Sequence, residues 1–320
     1  MVSSSFLAYI VIFAFMFLLK FICNRKGYIM IKVAIVGYGN IGKAAYEAIS
    51  ASDDFSLEYI VDTRKINVDA PILNDVSELN NVDVAILCLP SRAVPEVASA
   101  LLSKGINTVD SYDMHSSIAD VRSKLDKVAK ENNCASITAA GWDPGSDSVV
   151  RTLLMAMMPK GITYTNFGPG MSMGHTVAVK AIAGVKDALS ITVPTGSGVH
   201  RRMVYVELTD GADFDSVEKA IRNDDYFIND ETHVIKVDDV DNLRDVGHGV
   251  NLIRKGMSGT TPNQKVEFNM SINNPALTGQ ILVSSARAVM KQRSGCYTMI
   301  QIPPIDFLVG DVDEIIRSLV

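Results

Sequence analysis

IKVAIVGYGNIGKAAYEAI, residues 31–49, decides the fold. Its first residues form a short β-branched run that reads as a buried strand. Its last residues place apolar side chains at helical spacing. Between them Gly37-Tyr38-Gly39-Asn40-Ile41-Gly42 matches G-x-G-x-x-G in the context the motif needs, a strand before and a helix after. Glycines at these positions allow a tight turn and bring the backbone close to a pyrophosphate at the positive end of a helix. Tyr38, Asn40 and Ile41 fill the loop. The stretch therefore predicts a dinucleotide site rather than an ordinary turn.

Working outward, SLEYIVD (56–62) and VDVAILCLP (82–90) read as further strands, residues 93–103 as a helix, and INTVDSYD (106–113) as a strand with its loop. The charged amphipathic stretch 118–133 is a helix, and CASITAAGWDPG (134–145) is a strand and turn. Strands alternating with helices at this spacing predict a doubly wound parallel sheet of Rossmann type over residues 30–150. The texture then changes. ALSITVPT (188–195), RRMVYVELTD (201–210), HVIKVDD (233–239) and KVEFNMSIN (265–273) alternate apolar and polar residues, as antiparallel strands with one wet face do. They predict a second, α+β domain over 151–279, which the resemblance given below makes the substrate-binding and dimerisation domain. Residues 280–320 hold a helix expected to pack back on the first domain.

The chain has 320 residues, 48% of them hydrophobic, and a formal charge of −6. That balance argues against a nucleic-acid partner, which would demand a basic footprint. Four cysteines, Cys23, Cys88, Cys134 and Cys296, show neither CxxC nor metal-ligand spacing. They predict no metal, no disulfide framework and a reducing, cytoplasmic setting. Residues 6–23 are almost wholly apolar and are followed by Arg25 and Lys26. Residues 1–29 are thus either a short membrane span, which would leave the rest in the cytoplasm, or an upstream extension the working protein does not need.

Asp62 ends the second strand, where an acid accepts hydrogen bonds from an adenosine ribose and favours NAD. Thr63, Arg64 and Lys65 follow at once and suit a 2′-phosphate, so the two signals conflict. Cys88, Pro90 and Ser91, at the end of the third long strand, fall where a nicotinamide ribose would lie. VDSYDMH (109–115) and GWDPG (141–145) put Asp113, His115, Trp142 and Asp143 at the carboxyl ends of the next two strands. In such sheets those ends form the ligand crevice. Two carboxylates there suit a cationic amine and can take its proton. Trp142 is the only tryptophan in the chain. NFGPGMSMGHT (166–176) reads as a glycine-rich lid or clamping loop. Arg201 and Arg202 are adjacent in a strand, so they point to opposite faces and only one can reach a ligand. DVGHGVN sets His248 between glycines, as in an exposed loop.

Taken together, GYGNIG, VDSYD, GWDPG, FGPGMSMGH and NNP resemble the meso-diaminopimelate dehydrogenases, in order and without large gaps from Met30 to the C-terminus. The resemblance implies a homodimer of two-domain subunits. It implies reversible, NADP-dependent oxidative deamination of meso-2,6-diaminopimelate at its D-centre, giving L-2-amino-6-oxopimelate and ammonia, in lysine biosynthesis. By that resemblance Asp113 and Asp143 are catalytic, holding the ammonium and assisting its deprotonation. Trp142 joins them at the D-centre, and Phe167, Met173 and Gly174 also bind the substrate. Thr192, Arg202 and His248 clamp the distal carboxylate, and Asn274 completes that pocket. Phe167 stands where some members have Trp. Met173 stands where some have Gln, as in the subgroup more tolerant of 2-keto acids. Asp62-Thr63 partly replaces arginines that members use for the 2′-phosphate, so NAD becomes a weaker or dual cofactor beside NADP. The apolar extension is not a family feature. Two other readings stay open: another amino-acid dehydrogenase or dihydrodipicolinate-reductase-like enzyme on the same plan, and a non-catalytic dinucleotide sensor.

Overall fold

The computed structural model describes residues 30–243 and 247–320; the apolar run at 6–23 lies outside them. The first part of the chain runs β1 (Ile31–Val36), α1 (Asn40–Ser50), β2 (Phe55–Val61), β3 (Ile72–Leu73), β4 (Val84–Leu87), α2 (Val94–Leu102), β5 (Asn107–Asp110), α3 (Ile118–Glu131) and β6 (Ala135–Ile137). After α4 (Ser146–Met157) come β7 (Lys160–Phe167), β8 (Gly170–Met171), α5 (Met173–Lys180), β9 (Val185–Gly196), β10 (Val199–Leu208), α6 (Phe214–Arg222), β11 (Glu231–Lys236), β12 (Gly247–Ser258) and β13 (Thr261–Asn273). The chain closes with α7 (Asn274–Val289), β14 (Gly295–Tyr297) and α8 (Val312–Leu319).

Seven strands form one parallel sheet in the order β14-β6-β5-β4-β1-β2-β3. Both faces are covered, which is why β1 is apolar without a break. Val33 and Ile35 belong to a core with Ala45 and Ile49 of α1 and Leu282 and Ala286 of α7. Ala34 and Val36 point the other way, into a core with Leu101 of α2 and Leu125 of α3. Gly279 lets α7 approach α1: a Cβ on it would lie 2.7 Å from the Ala44 Cβ. The strand order reverses between β1 and β4, and this switch point opens the crevice.

The other strands form a four-stranded sheet, β11-β10-β9-β8, and a three-stranded antiparallel sheet, β13-β12-β7. Val204 and Val206 of β10 pack under Val179 of α5 and Ile221 of α6. Leu252 of β12 packs against Trp142 and Leu154 of α4. One expectation needs correcting: β11 runs parallel, not antiparallel, to β10. The α6 crossover returns the chain to the starting edge, which a hairpin could not do. The glycine-rich stretch 166–176 contains the end of β7, β8 and the start of α5. Among the described residues no helix is long and apolar enough to cross a membrane.

Candidate active site

A cleft of about 1180 Å³ runs from the carboxyl ends of β1, β2 and β4 to the faces of β9, β10 and α5. At its first end Gly37 has φ +93°, and a Cβ there would lie 2.5 Å from the Cys88 carbonyl oxygen. A Cβ on Gly42 would come within 2.1 Å of the Gly37 carbonyl oxygen. Loop and helix therefore meet without room for side chains. Gly39 faces open space, and no side chain caps the first turn of α1. The free amides there suit a phosphate, so these residues fit a dinucleotide.

Of the residues expected at this end, Gly37, Gly39, Asn40, Ile41, Asp62, Thr63, Arg64, Cys88, Pro90 and Ser91 line the cleft. Tyr38 and Gly42 do not. The Tyr38 ring packs edge-on against Tyr46, 6.1 Å between centroids, and only its amide serves the loop, donating to Asp62 Oδ2 at 2.8 Å. Asp62 Oδ1 accepts from the amide and the Nε of Arg64, each at 2.9 Å, and Oδ2 accepts from Arg64 Nη2 at 2.7 Å. Hydrogen bonding by Arg64 holds the Asp62 carboxyl far below the usual carboxylate range. The cation that suits a 2′-phosphate is thus turned onto its own acid.

At the centre of the cleft, Asp113 Oδ1 accepts from Ser91 Oγ at 2.6 Å and from Tyr226 Oη at 2.5 Å. Ser91 also accepts from the Asp113 amide, so it orients the carboxylate rather than merely lining a ribose subsite. Tyr226 comes from the loop after α6; burial, then the Asp113 charge, raise its phenol pKa and keep it a donor. Gly174, near the start of α5, leaves space for this carboxylate, because a Cβ there would lie 2.1 Å from Asp113 Oδ2. Asp143 Oδ1 accepts from both Nη atoms of Arg151 at 3.0 Å, while Oδ2 stands 3.8 Å from His115 Nε2. Arg151 Nη2 reaches on to Asp147 Oδ2 at 2.7 Å. Trp142 serves both the core and the cleft: it is buried, its Nε1 points at Met270 Sδ, and its ring meets the edges of Phe167 and His248.

At the far end Thr192 and Arg202 are paired across the β9–β10 ladder. Arg202 donates through Nε to Asp230 Oδ2 at 2.6 Å and through Nη1 to Thr192 Oγ1. Arg201 points away and pairs with Glu231 on the surface, as strand alternation requires. His248, expected in an exposed loop, is buried on β12 and still borders the cleft. Phe167, Met173 and Asn274 also line it.

Sequence reading did not single out Arg151, Asp147, Tyr226, His175 or Asp230. Asp147 and Arg151 carried a usable signal, acid and base four residues apart just after GWDPG. Tyr226 and Asp230 lie in DDYFINDE, which has no pattern to separate them from a polar loop. His175 accepts or donates at Nδ1 with Ser172 Oγ at 2.8 Å; burial, then the nearby Arg202, hold its pKa well below the ordinary value.

The cleft thus joins a phosphate-binding turn, two oriented carboxylates and a cationic far wall, an arrangement for oxidising an amine that carries a distant anion. Residues 31–139 match the oxidoreductase family with an NAD-binding Rossmann fold, and residues 141–199 match the diaminopimelic acid dehydrogenase C-terminal domain. The chain is 59% identical over 297 residues to the meso-diaminopimelate D-dehydrogenase of Bacteroides fragilis, covering 91% of this chain and 99% of that one. Among solved structures it is similar to Corynebacterium glutamicum DAP dehydrogenase in complex with DAP, with a TM-score of 0.82, 30% identity, and 91% and 99% of the two chains covered. It is also similar to an engineered D-amino acid dehydrogenase bound to NADP+, with a TM-score of 0.85, 28% identity, and 91% and 100% covered. The chain belongs to the meso-diaminopimelate D-dehydrogenase family.

Proposed function

We propose that the chain catalyses the reversible oxidative deamination of meso-2,6-diaminopimelate at its D-centre, with NADP as the preferred cofactor and NAD as a weaker one. The observation that carries this is the placing of Asp113 and Asp143 in one cleft with the glycine turn at one end and Arg202 at the other. When bound, the nicotinamide supplies the hydride acceptor. Asp113 and Asp143 hold the ammonium and take a proton from it; Ser91, Tyr226 and Arg151 orient them. Arg202, Thr192, His248 and Asn274 bind the distal amino-acid end. Trp142, Phe167, Met173 and Gly174 enclose the reacting carbon and limit water.

NADP is preferred because Arg64 is exposed and can swing from Asp62 to a 2′-phosphate, while Asp62 keeps the margin over NAD narrow. A homodimer is supported by exposed Leu153, Met155 and Met157 on α4 and Ile162 on β7, an apolar surface a second copy would cover. We place residues 30–150 with 280–320 in the dinucleotide domain, 151–279 in the substrate domain, and the enzyme in the cytoplasm, where free Cys88, Cys134 and Cys296 are at home.

The deciding assay is reduction of NADP and of NAD with meso-diaminopimelate as the other substrate. Turnover with the meso isomer and none with the LL isomer supports the reading. Cofactor binding without turnover refutes it and leaves a sensor.

A further inference from the structure

The acid–base group Asp143 is not alone at the end of β6. Arg151, one turn and a half further along α4, donates to Asp143 Oδ1 through both Nη atoms and to Asp147 Oδ2 through Nη2. One guanidinium thus serves two carboxyl groups. Their surroundings differ: the Asp143 side chain is 8% exposed and borders the cleft, while Asp147 is wholly buried and reaches no ligand. Asp147 Oδ1 has no hydrogen-bond partner among the described residues. An ionised carboxylate with an unsatisfied buried oxygen is costly, and protonating one of the two acids removes the surplus charge. Two anions against one cation would also leave the buried cluster with a net negative charge. One shared proton leaves it neutral.

We propose that Asp147 is a positioning residue for the deamination: it shares one proton with Asp143 across Arg151 and so sets the charge that Asp143 presents to the substrate amine. This rests on the reading of Asp143 as the group that meets that amine.

Other contacts agree. Burial, then repulsion from Asp143, raise the Asp147 pKa, and Arg151 opposes them only in part. The remaining titratable neighbours come from other elements: His115, in the loop after β5, stands 3.8 Å from Asp143, and His248 of β12 packs against Trp142. The turn 299–301, which also packs on α4, contributes no titratable group. The guanidinium carbon of Arg151 lies 5.7 Å from the centre of the Phe167 ring, which fixes the cation between the two acids.

The consequence is directional. Once the ammonium has lost its proton, hydride leaves the neutral amine for the nicotinamide and a cationic iminium remains, so a second negative charge behind Asp143 favours the hydride-transfer step. As pH rises past the point where Asp147 ionises, deamination in the wild type should gain an extra rise of roughly threefold to tenfold, one charge acting at short range. Asp147→Asn keeps the shape of the protonated acid but cannot ionise.

The test compares the wild type, Asp147→Asn and Asp143→Asn with NADP and meso-diaminopimelate, recording kcat and KM from neutral to strongly alkaline pH. In support, Asp143→Asn loses turnover, and Asp147→Asn loses the alkaline rise in kcat. A profile for Asp147→Asn that is merely scaled down from the wild type overturns the proposal and leaves Asp143 in place. Wild-type turnover in Asp143→Asn overturns the site reading and the proposal together. Should Asp147→Asn fail to fold, infrared spectra of the wild-type holoenzyme decide: a protonated carboxylic-acid band that fades at alkaline pH supports the shared proton, and its absence at neutral pH refutes it.

Discussion

Replacing Arg202 by Met removes the cation at the far end of the cleft while keeping much of its apolar length. Arg202 is 14% exposed and is held by Asp230 and Thr192, so it is fixed before any ligand arrives. Loss of a charge-assisted, bidentate contact costs about 1.5–3 kcal/mol, or roughly tenfold to a hundredfold in affinity. The structure adds a second cost. Without its guanidinium, Asp230 faces the incoming carboxylate as a bare anion, and like charges at such range repel by about 1–3 kcal/mol. The Michaelis constant for meso-diaminopimelate should therefore rise by about a hundredfold or more. Adding Asp230→Asn should recover part of that loss, although it removes another polar group. Short D-amino acids with one carboxylate should be affected little, because nothing in them reaches Arg202. Initial-rate measurements on both substrates decide the matter, with Arg201→Met, which breaks only a surface pair with Glu231, as control. Equal loss on the short substrate, or a selective loss in Arg201→Met, refutes the assignment of the distal pocket.

Asp62→Ser should free Arg64 and widen the preference for NADP over NAD, measured as the ratio of kcat/KM values; loss of NADP binding would sink the placement of this loop. Because Asp62 has a lowered folded pKa, it adds stability above the unfolded value of about 4 and loses it as pH falls. The melting-temperature gap between wild type and Asp62→Ser should accordingly close in acid. Gly174→Ala puts a methyl 2.1 Å from Asp113 Oδ2 and should cut turnover roughly a hundredfold with the melting curve nearly kept; full activity would show that Asp113 needs no fixed position. The Cys88 and Cys296 thiols are pushed up to about 12, chiefly by burial, so peptide mapping after iodoacetamide at neutral pH should find both unmodified. Rapid labelling of Cys88, which lines the cleft, would mean that its thiol ionises far more readily than its surroundings imply.

The parallel sheet was legible because burial on both faces leaves runs such as IKVAIV and VAIL, and glycines mark the turn between β1 and α1. β3 was not, since two residues, Ile72 and Leu73, are too few to show a period. The direction of β11 was hidden as well, because alternation records which face is wet and not which way a strand runs. At the site, motif residues sit where sequence order puts them, at the ends of β5 and β6. Their partners do not. Tyr226 reaches Asp113 across 113 positions, and only the packing of the two sheets brings them together. Spacing alone leaves Arg201 and Arg202 open; the resemblance selects Arg202, and it is Arg202 that lines the cleft.

The seven-stranded sheet is finished by its most distant residues. β14 adds to β6 at one edge, and Leu282, Val283 and Ala286 of α7 fill the core beneath β1. Synthesis runs in chain order, so the glycine turn leaves the ribosome well before α7 and β14. Until they do, Val33, Ile35 and Ile86 have only α1 over them, and part of that apolar face stays open. Such surface on a growing chain invites association with other chains. The nucleotide half therefore cannot complete its core until α7 and β14 join it.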